Sequence, residues 1–250
     1  MNAFNLSNET AIVTGASTGL GRGIAQGLAE AGADLMLVDY VPCDETAAEI
    51  NAMGRKAITM SVDLMTTASI PAIVEATLRT FGKVDILVNN AGIIRRTPAI
   101  DFSEKDWDDV MAINLKTVFF FCQAAARDMM KRHHGKIINI ASLLAFQGGI
   151  NVPSYSASKG AVAQITKALA NEWASQGINV NAIAPGYMAT NNTKALREDQ
   201  KREKAIVDRI PAGRWGTPED LKGTAVFLAS RASDYVQGHV LVVDGGWMAR

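Results

Sequence analysis

Thr10-Ala11-Ile12-Val13-Thr14 is a β-branched, apolar run that passes without a spacer into Gly15-Ala16-Ser17-Thr18-Gly19-Leu20-Gly21. Helical periodicity begins directly beyond it, with Ile24, Leu28 and Ala31 on one face and Gly32 as a stop signal. A buried strand, a glycine turn and an amphipathic helix in that order point to an α/β arrangement on a parallel sheet. The turn can also carry backbone N–H groups up to a pyrophosphate at the positive end of the helix, where side chains at the glycine positions would obstruct it. The spacing is G-x-x-x-G-x-G rather than the common G-x-G-x-x-G, and a tight turn without a ligand would leave the same trace.

Strand-like runs recur down the chain. Leu35-Met36-Leu37-Val38 ends in Asp39, Thr59-Met60-Ser61-Val62 in Asp63, and Ile138-Asn139-Ile140-Ala141 in Ser142. Val84-Asp85-Ile86-Leu87-Val88 leads into Asn89-Asn90-Ala91-Gly92, Asn179-Val180-Asn181-Ala182-Ile183-Ala184 into Pro185-Gly186, and Val240-Leu241-Val242-Val243 into Asp244-Gly245-Gly246. Helical patterns separate these runs, so the 250 residues read as one α/β domain. Asp39 falls a little beyond the ribose-binding acid expected about 20 residues after the glycines. A carboxylate there accepts from both ribose hydroxyls and repels a 2′-phosphate, which favours NAD over NADP; it could equally cap the next helix.

Charge narrows the partners. Lys+Arg and Asp+Glu both total 25, so no global field favours nucleic acid or an anionic membrane. The basic cluster from Lys131 to Lys136 reads as a helix end, with Gly135 as its stop signal. Cys43 and Cys122 are too few for a disulfide framework, Met1 to Thr10 lacks a leader pattern, and no apolar run looks long enough to span a membrane. The expectation is a soluble cytoplasmic protein without membrane or nucleic-acid partners. His133, His134 and His239 lack zinc-ligand spacing, and no catalytic metal is expected.

The chemistry centres on Ser142, Tyr155 and Lys159. Pro153 suits the first turn of a long helix, on which Tyr155 and Lys159, four apart, share a face. A tyrosine with its ordinary pKa of about 10 is a poor base at neutral pH. A neighbouring ammonium favours the phenolate, and a serine hydroxyl from the strand end can donate to an oxygen gaining charge. Tyrosine and lysine four apart could also be an ordinary helix pair.

Other stretches bear on assembly and substrate. Ser103 and Asp106 approximate a capping box ahead of a helix running through Asn114 to about Met130. That helix is apolar nearly all round, as is the one after Pro153 with Val162, Ile165, Leu169 and Trp173. A sheet covers one side of each, so a second buried face suggests subunit contacts, unless the same subunit covers it. Asn114, an amide in an apolar helix, needs partners for both its ends. The segment 187–213 is polar and charged over most of its length and suits a mobile lid; a static solvated helix would look alike. Arg95 and Arg96 could grip a carboxylate, and Gln147, Asn191 and Asn192 could meet hydroxyls, although each could be a surface residue.

Taken together, Thr14-Gly15-x-x-x-Gly19-x-Gly21, Asp63, Asn89-Asn90-Ala91-Gly92, Asn114, Ser142, Tyr155-x-x-x-Lys159 and Pro185-Gly186 resemble the short-chain dehydrogenase/reductase family over essentially the whole chain. The resemblance implies a Rossmann-type doubly wound parallel sheet of seven strands with helices on both faces, in a single domain. It implies an NAD site made by Gly15, Ser17, Thr18, Gly19, Leu20, Gly21, Asp39, Asp63, Leu64, Asn90, Ala91, Gly92, Tyr155, Lys159, Pro185, Gly186 and Thr190. Tyr155 would be the acid/base, Lys159 would lower its pKa, Ser142 would orient the substrate oxygen, and Asn114 would hold water in a proton relay. A homotetramer is implied as well. Within the family, Asn89 to Arg96, Phe102 to Met111, Ser142 to Tyr155, Ile183 to Thr193, Arg214-Trp215-Gly216 and the final stretch from Asp244 to Arg250 are similar to bacterial dehydrogenases of deoxy sugar acids in hexuronate or pectin breakdown. The rivals are the same mechanism on gluconate, another polyol or a 3-oxoacyl compound, and a regulatory protein that binds NAD without turnover.

Overall fold

In a computed structural model describing residues 3–250, seven strands form one parallel sheet in the order β3-β2-β1-β4-β5-β6-β7. Met1 and Asn2, part of the opening segment read above, lie outside the described residues. The strands are β1 (Thr10–Thr14), β2 (Asp34–Asp39), β3 (Ala57–Ser61), β4 (Ile86–Asn89), β5 (Gly135–Ile140), β6 (Ile178–Pro185) and β7 (Val240–Val243). The helices between them are α1 (Gly19–Glu30), α2 (Asp44–Ala52), α3 (Ile70–Phe81), α4 (Glu104–Met111), α5 (Thr117–Arg132), α6 (Pro153–Trp173), α7 (Lys194–Glu198), α8 (Gln200–Val207) and α9 (Glu219–Ala229).

The continuous apolar character of the strands follows from their having two covered faces. Ala11 and Val13 join Leu35, Leu37, Ile86 and Val88 in a core under α1, α2 and α9. Ile12 faces the other way and joins Met36, Val38 and Leu87 in a core under α3, α5 and α6. The strand order reverses between β1 and β4, whose diverging crossovers open a crevice at the carboxyl ends of the strands.

Several details depart from the sequence reading. β3 begins at Ala57, so Val62 lies beyond it. Gly135 does not stop α5. His133 takes the left-handed conformation there (φ 48°), while Gly135 opens β5, where a Cβ would meet the Met129 sulfur at 2.5 Å. The helix through Asn114 is interrupted by a π turn, Ala112–Lys116. Helical residues 104–132 together are long and apolar enough to cross a membrane by length and composition, which the sequence reading did not find. Here they act as core helices: Val110, Val118, Phe121, Ala125 and Met129 are buried within the protein. Val162 and Leu169 of α6 are likewise buried in the core, Ile165 and Trp173 partly so, and its exposed positions include Gln164, Lys167 and Ala168.

Candidate active site

The crevice at the β1/β4 divide holds a cavity of about 690 Å³, within the range of small-molecule and cofactor sites. It runs from Asp39, Tyr40 and Val41 past Gly15–Leu20 and Ala91 to Tyr155, Lys159 and Thr190–Asn192. Its floor depends on glycine. Gly15 has φ +66°, and a Cβ there would lie 2.7 Å from Asn90 Nδ2; one on Gly21 would strike the Gly15 carbonyl. Asn90 Nδ2 donates to Thr14 O (3.0 Å) and Gly15 O (3.1 Å), and Thr14 Oγ1 accepts from the amides of Asn90 and Ala91 (both 3.0 Å). These bonds lock the ends of β1 and β4 together and leave the start of α1 facing the cavity. This glycine-floored cradle fits a dinucleotide pyrophosphate, which needs close backbone approach.

At one end, Asp39 Oδ2 accepts from Ser17 N (3.0 Å) and Ser17 Oγ (2.6 Å), while Oδ1 accepts from Tyr40 N (2.7 Å). Ser17 therefore orients Asp39. Asp44 and Glu45 line an adjoining hollow, and the nearby cation, Arg22, pairs with Glu45 at 3.1 Å and with Glu49. Asp63 Oδ1 accepts from Met65 N at 2.8 Å, and both Asp63 and Leu64 line the cavity.

At the other end, Tyr155 and Lys159 share the inner face of α6. The Lys159 ammonium is buried, lies 5.6 Å from the Tyr155 ring centroid and donates to Ile140 O at 2.6 Å. Burial pushes its pKa down to about 8. Tyr155 differs from the sequence-based expectation. Burial raises its pKa, opposed by a hydrogen bond with Ser142 and by the positive charge of Arg96. Desolvation disfavours the phenolate and the ammonium alike, and the ammonium is directed at the Ile140 carbonyl, so Lys159 does not dominate the phenol.

Ser142 Oγ also accepts from Leu144 N at 3.2 Å. Asn114 Oδ1 accepts from Ile93 N (2.9 Å), and its Nδ2 donates to Ile93 O (2.9 Å) and Ser158 Oγ (3.3 Å). The bonds of Asn114 therefore tie the loop after Gly92 to α6, and none of them is to Lys159.

The two arginines separate. Arg95 lines the cavity but is paired with Asp106 (3.3 Å) and Asp109 (3.8 Å) of α4. Arg96 donates from Nη2 to Asn192 O at 3.0 Å and lies close enough to Tyr155 to influence its charge. Gln147 is outside the cavity lining, with Oε1 3.4 Å from the Trp247 indole nitrogen. Gly21, Arg96, Asn114, Ser142, Pro185 and Gly186 also lie outside that lining; Gly186 N bonds to Val243 O at 2.9 Å. Tyr40, Val41, Ile93, Ile113 and Ile140 line the cavity without having been singled out from the sequence. Apolar residues at strand ends carry no local mark that separates a cavity wall from core.

Glu9, Asp85 and His134 bring ligand atoms within 4.8 Å of one another at the opposite end of the sheet. The Asp85 oxygens already take Arg132 (2.6 Å), Lys83 (2.9 Å) and Thr10 N (2.9 Å), which leaves little for a metal.

A family model described as Enoyl-(Acyl carrier protein) reductase matches residues 15–248. A 2-dehydro-3-deoxy-D-gluconate 5-dehydrogenase of Dickeya dadantii (strain 3937) is 61% identical over 251 residues, covering 100% of this chain and 99% of the relative. A structure provisionally described as a 2-deoxy-d-gluconate 3-dehydrogenase of Agrobacterium tumefaciens, with bound NADP, matches with TM-score 0.94 and 55% identity over 100% of both chains. The gluconate 5-dehydrogenase of Burkholderia cenocepacia J2315, in complex with NADP and tartrate, matches with TM-score 0.94 and 41% identity, over 99% of this chain and 98% of that one.

Proposed function

The chain belongs to the short-chain dehydrogenase/reductase family, and from that premise we propose that it interconverts a secondary hydroxyl and a ketone on a deoxy sugar acid, as a 2-dehydro-3-deoxy-D-gluconate 5-dehydrogenase or 2-deoxy-D-gluconate 3-dehydrogenase. The observation that carries this reading is Tyr155, its phenol influenced by Ser142 and Arg96 and with Lys159 beside it, in the same cavity that the glycine cradle floors. A nicotinamide cofactor would supply the hydride acceptor or donor. Gly15, Ser17–Gly21, Asp39, Asp63, Leu64, Asn90–Gly92, Lys159, Pro185, Gly186 and Thr190 would hold it.

The remaining work falls to this chain's own side chains. Tyr155 takes the hydroxyl proton in oxidation and returns it in reduction, while the Ser142 hydroxyl donates to the substrate oxygen. The raised phenol pKa keeps Tyr155 protonated at neutral pH, ready to act as the acid. The positive charge of Arg96 and the Ser142 bond ease its ionisation in the other direction. Asn114, held by Ile93 and Ser158, would hold a water in a proton relay leading to Lys159. Arg95 or Arg96 would bind the substrate carboxylate, and Gln147, Asn191 and Asn192 would meet its hydroxyls under a mobile lid at 187–213.

NAD is the proposed cofactor, although three related structures hold NADP. Asp39 is held at the ribose end, Asp44 and Glu45 stand next to it, and the nearby Arg22 is paired to glutamates. A 2′-phosphate would meet net negative charge there. The reading includes a soluble cytoplasmic homotetramer. Cys43 and Cys122 are unpaired and buried, and Trp107 and Phe120 are each 38% exposed on α4 and α5, which suits a covered face.

The test is an absorbance assay of nicotinamide reduction with NAD and NADP against 2-dehydro-3-deoxy-D-gluconate, 2-deoxy-D-gluconate, D-gluconate, neutral polyols and a 3-hydroxyacyl thioester. NMR of the product assigns the carbon oxidised. Turnover confined to the polyols or the thioester would overturn the sugar-acid reading, and NAD binding without turnover of any compound would favour a regulatory protein.

A further inference from the structure

A third apolar core, separate from the two that flank the sheet, lies under the 187–213 segment. Leu143, Ile206, Ile210 and Trp247 are buried in it, and Tyr187, Leu196 and Trp215 pack around them. Four stretches distant in sequence meet there: the loop after Ser142, the region of α7 and α8, the turn at Trp215 and the last residues of the chain. Trp247 is the piece they share. It is 5% exposed, and its ring sits 4.6 Å from that of Tyr187. The Arg209 guanidinium, just past the end of α8, lies 3.9 Å from the Trp247 ring centroid.

The turn that presents Trp247 is itself fixed. Asp244 accepts from Gly246 N and Met248 N, both at 2.8 Å. Arg250 Nη1 reaches the carbonyls of Asp208 and Arg209 at 3.4 and 3.3 Å, beside the negative end of α8. α8 needs such support. It has eight residues, too few to be stable alone, and Ile206 is its one buried side chain.

Trp247 also meets Gln147, which lies outside the cavity lining and is the residue assigned to a substrate hydroxyl under the proposed function. An indole N–H can only donate, so the atom of Gln147 facing it at 3.4 Å must be the amide oxygen. That orientation leaves the Gln147 Nε2 hydrogens as donors for a hydroxyl.

We propose that Trp247–Arg250 is a strap that docks α8 and, through the Trp247 indole, orients the Gln147 amide, which makes Trp247 a positioning residue for the sugar acid. The role at Gln147 rests on the sugar-acid reading above; the docking of α8 does not.

The experiment uses the full chain with Trp247→Phe, which keeps an aromatic ring and loses the N–H, and Arg209→Met, which keeps the aliphatic stem and loses the cation. Limited trypsin digestion reads the docking, because cleavage at Lys194, Arg197, Lys201, Arg202 and Lys204 follows the population of the undocked segment. Arg209→Met is expected to speed these cuts about twofold to fivefold, the equivalent of one exposed cation–π contact. Trp247→Phe is expected to raise KM for 2-dehydro-3-deoxy-D-gluconate about twofold to fivefold, the equivalent of one neutral hydrogen bond, with NAD affinity unchanged. Unchanged digestion in Arg209→Met overturns the strap. Unchanged KM in Trp247→Phe, or an equal loss of NAD affinity, overturns the positioning role. If the unaltered protein turns over no sugar acid, the functional reading fails while the digestion still decides the strap.

Discussion

Lys159→Met should make the protein more stable while disabling it. The lysine is 5% exposed, and burial brings its pKa from 10.5 to about 8. Each unit corresponds to about 1.4 kcal/mol, so keeping this ammonium in the folded protein at pH 7 costs about 3 kcal/mol. A methionine of similar length removes that cost but leaves the Ile140 carbonyl without its donor, a loss of about 1 to 3 kcal/mol. The net gain is up to about 2 kcal/mol, or up to roughly 5 °C in Tm for a chain of this size.

The pH dependence gives the sharper signature. An unfolded lysine binds its proton up to 10.5 and the folded one only up to about 8, so the native protein gains stability from this group as pH rises between those values. The penalty is complete below pH 8 and gone above 10.5. The advantage of Lys159→Met should therefore be full at pH 7 and shrink steadily toward pH 10. Denaturant melts of the cofactor-free protein and the variant at pH 7, 8.5 and 10 measure it, and turnover of the variant should fall by at least about 100-fold. A variant that melts below the unaltered protein at pH 7, or whose advantage grows with pH, would refute the reasoning.

Tyr155→Phe should keep NAD affinity and lose at least about 1,000-fold in kcat; an active variant, measured by steady-state assay, would remove Tyr155 from the acid/base role. Arg96→Ala should raise KM for a sugar acid more than for an uncharged analogue, and more than Arg95→Ala does, because Arg95 already faces Asp106 and Asp109. Equal effects on charged and uncharged compounds would count against carboxylate recognition. Asp39→Ser should shift the ratio of kcat/KM for NADP against NAD by about tenfold or more toward NADP as a like-charge repulsion is removed. At the far end of the sheet, the hydrogen bond from Glu9 raises the His134 pKa although burial opposes it. The pair therefore stabilises below the ordinary histidine value of 6.5, and that contribution disappears as pH rises through the higher folded value. His134→Asn should lower Tm at pH 6 by the equivalent of no more than about 1 kcal/mol, given its exposure, and leave it unchanged at pH 8.5.

What could be read from the sequence was whatever a local rule dictates. Gly15 and Gly21 stand where a Cβ would collide with the neighbouring chain, so their spacing announces the cradle. Tyr155 and Lys159 meet because a helix returns to the same face after four residues, and Pro153 marks where that helix starts. The runs covered on both faces revealed the strands, with errors of a few residues at their ends. Where the outcome depended on what came to lie opposite, the sequence was silent. Arg95 and Arg96 are neighbours of one kind, and only the arrival of α4 brings Asp106 and Asp109 to the first while Asn192 O meets the second. Gly135 has the composition of a helix stop but is required by the Met129 side chain, and His133 takes over the left-handed position. The sign of the Tyr155 shift had the same origin: spacing puts a lysine beside the phenol, but it cannot say that desolvation would act on both. Under the proposed function, the catalytic end would be encoded by backbone geometry and the substrate end by loop side chains. Substitutions among Arg96, Gln147 and Asn192 should therefore change which acid is bound while leaving the Tyr155–Lys159 chemistry in place.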